Sequence, residues 1–256
     1  MLALAKALEV GWLAPPFRAI ALADLVPTPL SRKVAQELQH LLEQGMQPGH
    51  MAYTLHLLAA ERATSQQLRD RVELVWTGKK LMGSAIRDTS VVVSELLSAA
   101  KQSVLISTYT VDRNEKARAI FTVLAERMET LPDLQVCLFI NIKRPFTNKT
   151  PDSELLRAFA EDFRKEIWPG SRLPTVLYYP PALEIGGLER TCLHAKCIVV
   201  DDEQVLITSA NFTEAAHERN IETGVLFTDP AIAQAVRQQF ETLLTHNIFM
   251  PVPGLG

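Results

Sequence analysis

What the 256-residue sequence most plainly lacks is a long apolar run. Its longest stretch without formal charge, Gln44 to Ala60, contains Pro48, His50 and His56. That stretch falls short of the roughly 20 apolar residues a membrane-spanning helix needs. The N-terminal MLALAKALEV carries Lys6 and Glu9 among its apolar residues, which spoils the uninterrupted core of a secretory signal. A cytoplasmic protein without stable membrane association is therefore expected. Cysteine is scarce: Cys137, Cys192 and Cys197 form an odd set with no Cys-x-x-Cys pair, unlike a secreted disulfide framework. The six histidines do not cluster with cysteines or carboxylates at ligand spacing, so neither a metal nor another cofactor is expected. Excess charge of one sign is also missing. Twenty-six Lys and Arg against 29 Asp and Glu give a net charge of -3, so a polyanion site must be a local patch.

What is present is ordinary folded protein, 47% apolar and 21% charged, without internal repeats or low-complexity tracts. Residues 1 to 76 read as helices divided by proline and glycine. Ser31 is the expected N-cap of a helix carrying Val34, Leu38, Leu41 and Leu42, and further helices are expected over Met51 to Arg62 and Gln66 to Trp76. From Thr77 the rhythm alternates. Helical patterns at Ser90 to Ala100, Asn114 to Met128 and Ser153 to Glu166 flank strand-like runs at Ser103 to Val111 and Leu134 to Ile142. The expected organisation is an N-terminal helical region, 1–76, followed by an α/β layered domain, 77–256, whose sheet is covered by helices on both faces.

The chemistry concentrates in TCLHAKCIVVDDEQVLITSANFTEAAHERNIETGVLF, Thr191 to Phe227. Alternation along a strand sends His194 and Lys196 to one side. Asp201 to Gln204 then supply a polar turn between two apolar runs, with Asp201 able to fix the bend. Placing Val200 opposite Val205 sets Lys196 against Ser209 and His194 against Asn211, so four polar groups share one face. Lysine gives a point charge, serine and asparagine give neutral donors, and histidine can attack or transfer a proton near neutral pH. A phosphoryl group needs that combination, because its negative charge must be offset before a nucleophile approaches. Only one His-x-Lys pair exists, so a second imidazole for proton transfer must come from another copy across a two-fold axis. Glu222 is expected to accept the second ring N–H of His194, with Asn220 nearby.

HAKCIVVD followed by TSAN resembles the signature of the phospholipase D superfamily, as do SELLSAAKQSVLISTYTVD upstream and ANFTEAAHERNIETGVL downstream. One departure is Thr208, where that family often has glycine. The resemblance implies a mixed sheet between helical layers, metal-independent phosphodiester chemistry, and a homodimer in members that carry one motif. It implies His194 as nucleophile or acid/base twin, Lys196, Ser209 and Asn211 on phosphate, Glu222 supporting histidine, and Asp201 as structural. The chain length, the helical leader and VELVWTG further resemble the phospholipase-D-like component of a bacterial phage-defence system, DISARM. Partners then include nucleic acid, DNA before RNA, and other defence-system subunits. Two alternatives stay open: a lipid phosphodiesterase, and a catalytically weak nucleic-acid-binding subunit.

Several basic groups are candidates for phosphate contacts, against the simpler reading of solvated or packed side chains. These are Lys143, Arg144 and Lys149 after a strand end, Lys79, Lys80 and Arg87, and Arg164, Lys165 and Arg172 around Trp168. Tyr109, Asn141 and His217 are placed as possible neighbours of the site.

Overall fold

The structure is a computed structural model that describes residues 1–79, 86–145, 148–185 and 191–255. Of the basic residues above, Lys80 lies outside the described residues. The chain divides into two compact units, Met1–Asp70 and Arg71–Gly256.

The first unit holds α1 (Leu2–Glu9), a 3-10 turn at Ala19–Leu22, α2 (Thr28–Glu43) and α3 (Pro48–Asp70). Leu4, Leu8, Leu13, Leu22, Leu38 and Met51 form its own apolar core. Ser31 is not a cap. Its helix starts one turn earlier behind Pro27, with Pro29 in the first turn, where the missing N–H costs nothing, and Ser31 is buried within α2. The two helices expected over Met51 to Trp76 are also revised. One continuous helix runs to Asp70, and VELVWT is strand β1 (Val72–Thr77). Helical spacing of Leu68, Val72 and Val75 misleads here; six consecutive pairings between β1 and a distant strand decide the conformation.

The second unit continues with β2 (Arg87–Asp88), α4 (Thr89–Ala99), β3 (Ser103–Thr108), α5 (Glu115–Thr130), β4 (Gln135–Ile140) and α6 (Asp152–Asp162). Then follow β5 (Thr175–Tyr178), β6 (Cys197–Val200), β7 (Gln204–Thr208), α7 (Glu214–Glu218), β8 (Glu222–Thr228), α8 (Pro230–Thr245) and β9 (Met250–Pro251). The strands make one mixed sheet in the order β2-β1-β8-β7-β6-β3-β4-β5-β9. β3, β4 and β5 run parallel, while β6, β7 and β8 are successively antiparallel. Alternate side chains feed two cores. Val104, Ile106, Leu138, Ile198 and Leu206 pack with α4, α5 and α6, whereas Leu105, Phe139, Val199 and Val205 pack with α8. Both faces of the sheet are thus covered by helices.

Local chemistry sets the element ends. Asp88, Asn114, Thr213 and Asp229 cap α4, α5, α7 and α8 by accepting backbone N–H groups of the first turn. Trp168 is buried, packs on Phe121 and Phe163, and donates Nε1–H to the Arg172 carbonyl at 2.8 Å. Arg172 donates to the carbonyls of Met128, Leu131 and Leu134, so this tryptophan–arginine cluster is packing.

Candidate active site

The carboxyl end of β3 and the loop that follows it hold the site segment. Ser107 Oγ donates to the Ala195 carbonyl at 3.0 Å, between His194 and Lys196. Thr108 Oγ1 accepts Phe212 N–H at 3.3 Å, Asp112 N–H donates to the Phe212 carbonyl at 3.2 Å, and Asp112 Oδ2 accepts Glu214 N–H at 3.0 Å. The His194–Lys196 segment and the Asn211–Phe212 loop are therefore tied to one strand end.

The hairpin forms one residue away from its expected register. Val200 pairs with Gln204 and Cys197 with Ile207, so Lys196 faces Thr208, whose N–H donates to the Lys196 carbonyl at 3.1 Å. The cause is the turn. Asp201 and Asp202 both take left-handed backbone angles, φ 52° and 58°, and Glu203 N–H closes on the Val200 carbonyl at 3.0 Å. The Asp201 carboxylate accepts the backbone N–H groups of Lys101, Gln102 and Ser103, which locks the turn to the start of β3. Asp201 is a structural clip at the turn, and the whole of β6 separates it from the His194 end.

With that register, strand alternation alone does not gather the four polar groups. A bend after β7 does part of the work. Thr208 Oγ1 donates to the Thr223 carbonyl at 3.2 Å and accepts Ala210 N–H at 3.1 Å, turning the chain out of the strand at Ser209. Thr208 pairs with Gly224, where an added Cβ would lie 2.9 Å from the Ile207 carbonyl oxygen and 2.9 Å from Thr208 Cβ. The side chain that replaces the expected glycine is accommodated by a glycine across the ladder.

His194 and Ser209, both exposed, and Lys196, which is buried, line one open cavity of about 420 Å³, walled by Val236 and Phe240 of α8. The sequence reading missed these two walls. Their signal was the Asp229-Pro230 helix start followed by Ala233, Val236 and Phe240 at helical spacing. Lys196 Nζ lies 3.0 Å from His194 Nδ1, 3.1 Å from Nε2 and 2.9 Å from the His194 carbonyl oxygen. The ammonium thus sits against the imidazole, where both can face one anion. Burial lowers the Lys196 pKa, and the Glu222 carboxylate opposes that shift.

Glu222 is not on the imidazole. One carboxylate oxygen accepts Ser209 Oγ–H and the other accepts Asn220 Nδ2–H at 3.1 Å, while Ser209 Oγ also accepts Thr223 N–H at 3.1 Å. The carboxylate orients the serine, which corrects the expected contact with His194. Asn211 is half-buried and does not line the cavity, and among the described residues its Oδ1 is buried without a hydrogen-bond partner. Behind it, His217 is buried against the Asn211 carbonyl and Phe212, and burial lowers its pKa.

The outlying basic candidates separate. Arg144 is 3% exposed and its guanidinium donates to the carbonyls of Leu183, Asn148 and Thr150 and to Asp152, so it fastens its own loop rather than facing a polyanion. Arg87 is held by Glu73 and Glu95. Lys149 and Lys79 are exposed, and Lys143 Nζ sits 3.7 Å over the Tyr109 ring, which in turn lies 5.0 Å from the His194 ring. Among the described residues no three His, Cys, Asp or Glu side chains gather as metal ligands.

The phosphatidylserine synthase of Haemophilus influenzae has a similar fold, at 17% identity over 75% of this chain and 43% of that one, with a TM-score of 0.50. Nuc of Salmonella typhimurium, a phospholipase D family member, is similar at 20% identity, covering 70% of this chain and 96% of that one with a TM-score of 0.43. The DISARM protein DrmC of Bacillus paralicheniformis is 25% identical over 170 residues, 66% of this chain, and the match spans 62% of that protein's length. The family model described as the cardiolipin synthase, PLD-like domain matches residues 93–244, which takes in the whole of the His194 to Glu222 site, and the chain belongs to this phospholipase-D-like family.

Proposed function

We propose that the protein is a metal-independent phosphodiesterase that cleaves nucleic acid, DNA before RNA, at a site completed by a second copy of the chain. The observation that carries this reading is the His194–Lys196 contact opening with Ser209 onto one cavity. The 25% identity to a DISARM protein supports a place in phage defence, with other defence subunits as partners.

In this reading the phosphodiester settles against Lys196 and Ser209, whose charge and hydroxyl offset the negative oxygens. Asn211 joins them by a small rotation that turns its amide N–H toward a phosphate oxygen. A neutral ring nitrogen of His194 attacks phosphorus; the P–N bond forms as the P–O bond to the leaving group breaks. The leaving oxygen takes a proton from His194 of the partner subunit. That imidazole then removes a proton from water, whose oxygen displaces the first histidine and restores both rings. Glu222 holds the Ser209 hydroxyl in place before substrate arrives, and the O–H swings from that carboxylate to a phosphate oxygen when the diester binds.

The test is cleavage of single-stranded and double-stranded DNA by the purified protein with chelator present. Wild type is expected to cleave, and His194→Asn to lose activity by at least a factor of about 10³. Cleavage that survives in His194→Asn contradicts the assignment. Hydrolysis of phospholipid vesicles in preference to DNA turns the reading to a lipid phosphodiesterase.

A further inference from the structure

The positive charge around the imidazole does not end at Lys196. Lys143 Nζ lies 3.7 Å from the centre of the Tyr109 ring, and Lys196 Nζ lies 5.7 Å from the same centre. The His194 ring is the third group on this tyrosine, with ring centres 5.0 Å apart and planes tilted by 60°. Two ammonium groups thus share one aromatic ring beside the reactive histidine, and the ring quadrupole offsets such charges only in part. Guanidinium groups of the same unit are neutralised differently: Arg87 is held by Glu73 and Glu95, Arg113 by Asp162 and Arg144 by Asp152. Among the described residues no carboxylate makes an ion pair with Lys143 or Lys196.

The chain around Lys143 fixes where it stands. It follows β4 and lies between Ile142 and Arg144, both buried, while its own side chain is exposed. Arg144 donates to the carbonyls of Leu183, Asn148 and Thr150 and to Asp152, which pins the backbone one residue beyond the lysine. Tyr109 follows β3, whose carboxyl end also holds the Ala195 carbonyl and the Phe212 N–H. The lysine and the imidazole are therefore carried by segments fastened to adjacent parallel strands. A cation already seated on a ring loses less rotamer freedom when an anion arrives than one on a free stem.

We propose that Lys143 and Tyr109 form a second anion site, which takes the phosphodiester next to the one on His194. Its ligand is a chain of diesters, a nucleic-acid strand, rather than an isolated diester. This rests on the phosphate-site reading above, since the second site is defined by its nearness to the first. A nucleic-acid strand carries one negative charge for every ~3.4 Å of its axis. Lys143 Nζ and the imidazole centre both lie within 5.0 Å of one ring centre, so the next diester of a bound strand comes within reach of the ammonium. Contact with phosphate carries no sequence information, so the site selects a strand and not a sequence.

The experiment compares three single-stranded DNA substrates of the full chain: a dinucleotide with one diester, a trinucleotide with two, and trinucleotides in which either linkage is a neutral methylphosphonate. Wild type is expected to cleave the charged trinucleotide with a kcat/KM at least tenfold above the dinucleotide, and the methylphosphonate forms within twofold of it. Lys143→Met, at an exposed position, brings the charged trinucleotide to within twofold of the dinucleotide through KM, and Lys143→Arg keeps the preference. Tyr109→Phe keeps it too, whereas Tyr109→Leu loses it; the ratio is read because this ring also packs on His194. A preference that survives Lys143→Met, or methylphosphonate trinucleotides as good as the charged one, overturns the second site. Binding of an eight-nucleotide strand to His194→Asn protein reads the site without cleavage: adding Lys143→Met should flatten the slope of log K against log salt by about 0.7, the loss of one phosphate contact. An altered slope without turnover of any substrate removes the catalytic reading alone, and turnover with both slope and preference unaltered removes the second site alone. Phosphatidylglycerol vesicles whose binding Lys143→Met weakens more than that of the oligonucleotide also overturn it, by assigning the charge to a lipid surface.

Discussion

Lys196 combines two properties that pull against each other: it is 8% exposed, yet its ammonium is the main positive charge beside His194. Burial disfavours the charged form, so its pKa lies below the ordinary lysine value of 10.5. As pH rises, the ammonium is lost earlier than from a surface lysine, and phosphate binding goes with it. The alkaline limb of kcat/KM is therefore expected to begin falling below pH 10.5, and Lys196→Arg to move that limb beyond the measurable range. Lys196→Ala is expected to lower kcat/KM by a factor of about 10² to 10³. A wild-type alkaline limb at or above the ordinary lysine value contradicts the assignment of this charge. His217 works in the opposite pH region. Burial lowers its pKa below 6.5, so the unfolded chain takes up a proton before the folded one does. Stability is then expected to fall as pH drops below about 6.5, and a series of Tm values should show a shallower acid slope for His217→Gln.

At the scale of elements, the end of β7 is shaped by a pair. Thr208 turns the chain toward Ser209, and Gly224 across the ladder leaves the space it needs. Gly224→Ala is expected to cost about 1–3 kcal/mol through overpacking and to lower activity by displacing Ser209. Thr208→Gly in the same chain should recover part of the lost Tm, because one of the two close contacts disappears. Full additivity of the two losses would show that they do not share this contact. The same region shows what could be read from sequence. Polar residue types, their order and the presence of a hairpin were legible, because a His-x-Lys pair and a Ser-x-Asn pair flanking an Asp-rich turn have few other uses. Register was not. It depends on two aspartates adopting positive φ and on a carboxylate reaching Lys101, Gln102 and Ser103, which lie about a hundred positions upstream. Arg144 was illegible for a similar reason: a basic residue in a loop reads as solvated until its carbonyl partners are known. The strand at Val72–Thr77 was hidden because its partner, β8, lies at the other end of the domain.

At the scale of the whole molecule, one chain supplies one imidazole of this kind, so the proposed reaction needs two chains. Light scattering at micromolar concentration is expected to report about twice 28.5 kDa. Mixing excess His194→Asn protein with wild type should reduce activity further than dilution does, because mixed pairs hold only one competent ring. A strict monomer with full activity contradicts the two-chain site. Among the described residues no helix is long and apolar enough to cross a membrane.

The claim on which the rest depends is a covalent bond between phosphorus and His194. It is tested most directly by mixing the protein with a chromogenic phosphodiester, quenching in alkaline denaturant within the first turnover, and mapping peptides by mass. The expected result is a phosphoryl-ester adduct on the peptide containing His194, absent from His194→Asn. Rapid turnover with that peptide unmodified, or an adduct on another residue, contradicts it.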